Sequence, residues 1–382
     1  MARLFYVGII GLILFEILKV YFIMPMPGSQ EMNSIDIAYF LFKWRWVFRC
    51  AFIILILLGA FSSWQAKRWQ TIALLAIALV VAWAFNFKMV ADKMFYQPSS
   101  LIMANISENE MPTNRLVIGI EINGISRAYP IQLIAYHHQV LDTIVDQPIM
   151  VTYCSVCRTG RVFEPSVDNA PESFRLVGMD HFNAMFEDTR TKSWWRQVSG
   201  EAIAGPLKGA RLPELFSEQM TLKQWIELHP ETLIMQPDPT FMEEYQSLED
   251  YDFGVGRGKL TRTDTLSWME KSWVVGVVDE DESYVIDWND LKESGIINFQ
   301  IADKSAFVAL ASDDMSFFAY ENPISSNFTI DNDTLRSDGL RYDLLGVPVD
   351  GDQEPLKRIN AYQEFWHSWQ SFHPSSKKIS QN

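Results

Sequence analysis

The sequence is short of cysteine, histidine and positive charge. Its 382 residues include 3 Cys and 6 His, too few for a disulfide framework, and a chain of this length needs none. The formal net charge of −15 would repel phosphate backbones, so nucleic acid is not an expected partner. Neither a Gly-x-Ser-x-Gly elbow nor a His-Glu-x-x-His pair occurs, and with no nucleophile–base pair visible a hydrolase is a distant third reading. The run from Gly254 to Lys259 resembles a phosphate loop, but Phe253 and Leu260 spoil the spacing, and it reads as linker.

Apolar residues are plentiful: 48% are hydrophobic and 21% charged, the composition of a folded chain rather than a disordered one. An aromatic share of 13%, with 13 Trp, supplies anchors for a core or a membrane interface.

Charge is unevenly spread. Residues 1–97 hold 9 basic and 4 acidic side chains, a balance of +5, leaving 32 − 9 = 23 basic and 47 − 4 = 43 acidic beyond, a balance of −20. The positive end is also the apolar end. Leu4 to Met24, Val47 to Phe61 and Ile72 to Phe87 each approach the roughly 20 residues that cross a bilayer. Trp46, Trp64, Trp69 and Trp83 cluster near the ends of the later two, as interfacial aromatics do. Glu16 and Lys19 are spaced to pair on one helix face. A cleaved signal peptide is the alternative for the first stretch, and buried core helices for the others. Basic residues give an ambiguous orientation: Arg3, Lys67 and Arg68 on one side, Lys43, Arg45, Arg49, Lys88 and Lys93 on the other. By the positive-inside rule alone the count leans toward a cytoplasmic soluble region.

From residue 112 the pattern becomes short apolar runs punctuated by Gly, Pro, Asn and Asp. Leu116 to Ile120 and Ser126 to Tyr129 read as a hairpin closed by Asn123-Gly124. A short helix is expected over Ile131 to Leu141, and a buried strand over Ile149 to Tyr153. The same order returns later. Val274 to Val278, an acidic turn and Tyr284 to Trp288 mirror the hairpin, and Ala306 to Leu310 follows Ile149 to Tyr153 at an offset of 157. Trp225, His229 and Pro230 close the first unit as Trp369, His373 and Pro374 close the second, at an offset of 144. Chance similarity between short β-rich runs is the competing explanation. The second unit has Ala311, Asp314 and Ser294 where the first has Cys154, Cys157 and His137, so one chemical site is expected, in the first unit.

Cys154 and Cys157 are spaced to hold one metal ion through both thiolates or to close a small redox disulfide. Thioredoxin-type pairs sit where a strand feeds a helix. Here Arg158-Thr159-Gly160 leads toward Pro165, which reads as strand, knuckle, strand. The expected ligand set is Cys154, Cys157 and His137, completed by His181 or His138, and soft thiolate with imidazole suits zinc or copper. In the competing packing role the thiols are simply buried and His137 caps or packs a helix. Arg158 and Arg161 read as exposed strand residues, against a role in stabilising thiolates or receiving an anionic substrate. Asp188 with Arg190 and Lys192 reads as a charged turn, and Trp194-Trp195 as core, against stacking on a ligand.

The soluble region resembles the bacterial domain-of-unknown-function family 3179. The resemblance is carried by Ala128-Tyr129-Pro130, His137, Asp142 and Thr152 to Cys157. It continues through Asp188, Thr191, Ser193, Trp195 and Gln197, then Gly200, Ala202 and Gly205, to Trp225 and His229 to Thr232. His138 stands where the family usually has an acid, and Arg158 where it usually has Gly. The resemblance implies an envelope protein of the bacterial inner membrane with its soluble region extracytoplasmic, and implies no established activity.

The reading is an α+β chain of two tandem, diverged β-rich units preceded by about three transmembrane helices. The membrane region is 1–97, a linker 98–111, the first unit 112–236, a second linker 237–271 and the degenerate second unit 272–380. Its function reads as metal binding (zinc or copper) or thiol redox chemistry at the cell envelope, against a non-catalytic structural or interaction protein with packing cysteines.

Overall fold

The computed structural model describes residues 1–379 except 169, 257, 280, 281 and 325. Arg257 of the glycine run, Glu280 and Asp281 of the acidic turn, and Ser380 at the end of the second unit lie outside the described residues. The chain partitions into two compact units, 1–96 with 172–211, and 97–171 with 212–382.

The first unit begins with α1 (Ala2–Tyr21), α2 (Ile35–Lys43) and α3 (Arg45–Trp83). Two helices, Ala2–Tyr21 and Arg45–Lys88, are long and apolar enough to cross a membrane. The second is not straight. Lys67 has φ −154 and ψ 74, and Ser63 Oγ meets Thr71 Oγ1 at 2.8 Å beside it. Arg49 donates to Asn86 Oδ1 at 2.5 Å, although a straight helix would part them by roughly 55 Å. The helix therefore folds back on itself, and the three apolar stretches become three helical arms. The expected Glu16–Lys19 pair forms at 3.0 Å. Glu16 also accepts from Arg49 at 2.6 Å and from Asn86 at 2.8 Å, tying all three arms by one buried carboxylate.

Against these helices lies an antiparallel sheet of Phe174–Asp180, Asn183–Asp188, Trp194–Arg196 and Ala202–Ala204. Val20, Ile23 and Met24 pack with Val177, Met185 and Trp194. Trp194 and Trp195 are both core. Asp188 makes the expected turn by collecting the Ser193 amide at 3.1 Å, the Thr191 hydroxyl at 2.7 Å and the Trp195 indole at 2.9 Å.

In the second unit β1 (Leu116–Ile122) and β2 (Ile125–Pro130) form the expected hairpin. Its Asn123 and Gly124 take φ +52 and +79, as a two-residue primed turn requires. Then come α4 (Ile131–His137), β3 (Gln139–Ile144), β4 (Gln147–Cys154) and β5 (Thr159–Phe163). The helix is shorter than expected, because His138 leaves it at φ +63 and the chain enters β3. After the 172–211 excursion, β6 (Glu218–Thr221), α5 (Leu222–Leu228) and β7 (Leu233–Met235) return to the first hairpin. There β6 lies antiparallel to β1 and β7 parallel to β2.

Farther on stand β8 (Trp273–Asp279), β9 (Glu282–Asp287), α6 (Trp288–Ser294), β10 (Ile296–Ile301), β11 (Lys304–Leu310) and β12 (Phe317–Asn322). The chain ends with β13 (Ala361–Phe365), α7 (Trp366–Phe372) and β14 (Lys377–Ile379). Here β13 runs antiparallel to β8, and β14 parallel to β9, the same order and sense as in the first sheet.

Within 237–271, expected to be linker, Tyr245, Tyr251 and Asp252 are buried, and a short helix spans Met242–Ser247. In each sheet a glycine makes room for an indole. A Cβ on Gly119 would stand 2.3 Å from the Trp225 ring, and one on Gly276 2.0 Å from that of Trp369. Gly119→Ala and Gly276→Ala should each cost about 1–3 kcal/mol of stability through overpacking. Thermal unfolding of the full chain in detergent checks this; unshifted midpoints would mean that neither indole is held against its strand.

Candidate functional site

The cysteines stand where β4 turns into β5. Cys154 pairs with Thr159 across the ladder, and residues 155–158 make the turn. Arg158, at φ +58, donates its amide to the Cys154 carbonyl at 2.7 Å, and the Cys157 amide reaches the same oxygen at 3.2 Å. No helix follows Cys157, so the strand–knuckle–strand expectation holds. Both cysteines are thiols, only 1% and 0% exposed.

Three separate segments close over the knuckle, each taking one carbonyl. Tyr251 Oη donates to Ser155 at 2.8 Å, Lys271 Nζ to Val156 at 2.7 Å, and the Phe365 amide to Cys157 at 2.8 Å. Burial pulls the Lys271 ammonium down to about 8, against the opposing pull of Cys157 and Cys154.

Arg158 and Arg161 are not exposed strand residues; both are fully buried. The chain's acidic average is a poor guide here, because each guanidinium finds its own matched acceptors. Arg158 donates to Gln363 Oε1 at 2.9 Å, to the Tyr251 carbonyl at 3.1 Å and to the Asp252 carbonyl at 2.7 Å, and lies 3.7 Å from the Trp273 ring centroid. Arg161 donates to Glu364 Oε1 at 2.7 Å and to Thr159 Oγ1 at 2.6 Å, with the Tyr362 ring 3.2 Å away. Burial pushes the Asp252 carboxyl up to about 6, against Arg115 and Arg158.

The histidines have other engagements. His137 closes α4 with Nε2 2.5 Å from Tyr245 Oη, among the rings of Tyr136 and Phe241. His138 holds Nδ1 3.1 Å from the Tyr136 carbonyl, and its own carbonyl accepts the Tyr153 amide at 3.0 Å. His181 belongs to the other compact unit, with Nδ1 2.7 Å from Asp180 Oδ1. Among the described residues, no three His, Cys, Asp or Glu side chains converge on a point that could hold a metal ion. The structure thus brings together Cys154 and Cys157 from the expected ligand set. Asp142 accepts from Tyr129 Oη at 2.6 Å and pairs with Arg127.

The residues that sequence reasoning missed are Lys271, Tyr251, Gln363 and Glu364. None lies in a motif, and the first two sit in the stretch read as linker.

These features define an α+β protein with apolar N-terminal helices and a thiol knuckle sealed beneath packed arginines. The chain belongs to the family described as protein of unknown function DUF3179, whose model matches residues 98–376. No curated protein and no solved structure matches the chain.

Burial holds the His138 imidazole down at about 4. The unfolded chain binds this proton more readily, so the stabilisation is present above about pH 6.5 and is lost as pH falls toward 4. Its size is on the order of 3 kcal/mol. Asp252 acts oppositely, favouring the folded state less as pH rises toward 6. His138→Asn, which suits the left-handed backbone, should flatten the stability loss between pH 6.5 and 4. Denaturant unfolding at a series of pH values checks this, and an unchanged slope refutes it.

Proposed function

We propose that this is a membrane-anchored thiol protein in which Cys154 and Cys157 cycle between dithiol and disulfide. The observation that carries this reading is the knuckle itself. It sets two thiols three residues apart at the two sides of one tight turn, beside the Lys271 ammonium, whose charge favours thiolate. The donor set fits half of a tetrahedral metal shell, so zinc or copper held by the two thiolates is the weaker form of the same proposal. Oxidation removes two protons and two electrons from the pair; an organic disulfide accepts them and leaves as two thiols.

Anchoring rests on the two long apolar helices and on Trp46, Trp64, Trp69 and Trp83, all with exposed rings near the arm ends. We place the soluble region on the extracytoplasmic side of a bacterial inner membrane, where a disulfide persists. We also read the two β-rich halves as diverged copies of one unit. Matching strand order, matching strand sense and the two glycine–tryptophan contacts support that reading. Near-complete burial of both thiols favours a second reading, a structural or interaction protein with packing cysteines.

The test uses the full chain carrying Cys50→Ala, purified in detergent without oxygen or chelator, with metals and thiols counted together. Reversible loss of two thiols on treatment with oxidised glutathione, and no stoichiometric metal, is the expected result. About one zinc or copper per chain, lost from Cys154→Ala/Cys157→Ala, would replace the redox pair with a metal site. Two inert thiols and no metal would leave the packing role.

A further inference from the structure

The two halves of the second compact unit cover one another's turns. The strand closing the first half, β6, docks on the turn of the second: the Thr221 amide reaches Ser316 Oγ at 2.9 Å and its hydroxyl Asp313 Oδ2 at 2.7 Å. The strand closing the second half, β13, docks on the cysteine turn, where the Phe365 amide reaches the Cys157 carbonyl at 2.8 Å. Thr221 and Phe365 are 144 residues apart, the offset that also relates Trp225 to Trp369. The exchange is therefore reciprocal. Gln219 and Gln363 share that offset, and Gln219 Nε2 donates to Gln363 Oε1 at 2.9 Å. A residue that meets its own counterpart marks an axis of twofold symmetry, as in an isologous dimer.

The two docked turns differ in charge. On the cysteine side Glu364, fully buried, accepts from Arg161 at 2.7 Å and Thr159 at 2.9 Å, and is held by Ser368 at 2.9 Å. Gln363 accepts from Arg158 at 2.9 Å. At the mirror positions the chain has Met220 for Glu364, Phe318 for Arg161 and Met315 for Arg158. A buried ion pair across the contact exists on the thiol-bearing side alone of these two matched sets.

Resting on the reading of a thiol pair and two related halves, we propose that the second half is an in-chain partner that completes the cysteine site. It supplies Gln363, Glu364 and the Phe365 amide, and access to the thiols opens when β13 lifts from the knuckle. Glu364 is a positioning residue: it acts through Arg161 and Thr159 and does not touch sulfur. The ligand of this surface is the chain's own second copy.

Alkylation by iodoacetamide under native conditions, read by mass spectrometry on the full chain with Cys50→Ala, tests the proposal. Glu364→Gln should label Cys154 and Cys157 about 10-fold faster or more, since breaking a buried pair strands Arg161 and lowers the cost of opening. Asp313→Asn, which weakens the mirror contact, should label at the wild-type rate. An unchanged rate in Glu364→Gln, or an equal acceleration in Asp313→Asn, would overturn the proposal. Should Glu364→Gln not fold, the wild-type chain in sub-denaturing urea decides: Phe365 amide exchange and Cys157 labelling should rise together. Labelling that proceeds while Phe365 stays protected would also overturn it. Alkylation reports access alone, so a redox-inert pair can still obey Glu364, and a redox-active pair can still ignore it.

Discussion

A buried turn has carbonyls that must find donors, and the fold around the cysteines depends on that demand. The ladder between β4 and β5 ends at Cys154 and Thr159. The oxygens of Ser155, Val156 and Cys157 are met instead by Tyr251, Lys271 and Phe365. A buried carbonyl left bare costs about 1–3 kcal/mol, so three distant segments are ordered to prevent it. This is why Tyr251 and Lys271 are fixed in the interior although they flank a glycine-rich run. It is also why a lysine is tolerated in the interior: its ammonium is desolvated, but it donates where nothing else reaches.

The same demand explains how an acidic protein carries a cationic centre. Overall charge describes the surface, whereas the interior obeys pairing. Arg158 has three oxygen acceptors and an indole face, and Arg161 has a carboxylate, a hydroxyl and a phenol ring. Planar guanidinium, with its fixed fork of donors, suits such sites better than lysine would. With its charges matched locally, the knuckle can stay sealed while the rest of the surface remains strongly negative.

What the sequence made legible follows from period and spacing. Alternating apolar runs and Asn123-Gly124 located the first hairpin, and apolar length located the helical arms. Glu16 and Lys19 met as their spacing implied, and Trp194-Trp195 entered the core as paired aromatics commonly do. What it hid were contacts between distant segments. Nothing local to Lys271 or Glu364 marks them as neighbours of Cys157, because their roles are set by three-dimensional docking. Arg158 and Arg161 were misjudged for the same reason: whether an arginine is exposed depends on acceptors about 90 to 200 residues away, which no local pattern records. His137, His138 and His181 were grouped by scarcity and order along the chain, whereas the fold gives each a partner of its own.

The turn after β11 closes with the same backbone bond as the cysteine turn although its side chains differ, and the physics of backbone satisfaction accounts for this. The Asp314 amide still bonds the Ala311 carbonyl at 3.0 Å, as the Cys157 amide bonds Cys154. Backbone donors and acceptors demand partners whatever side chains they carry, so two turns of different chemistry take the same backbone shape. Asp313 illustrates the substitution: its carboxylate gathers the Met315 and Ser316 amides at 2.9 and 2.8 Å and the Thr221 hydroxyl at 2.7 Å. A side chain thus meets the amide donors of one turn, whereas at the other Tyr251, Lys271 and Phe365 meet the carbonyl acceptors from outside. Both turns are covered by a strand of the other half, but the cysteine turn, with Val156 at the position of Asp313, has no carboxylate of its own and leans on Tyr251, Lys271 and the Phe365 amide.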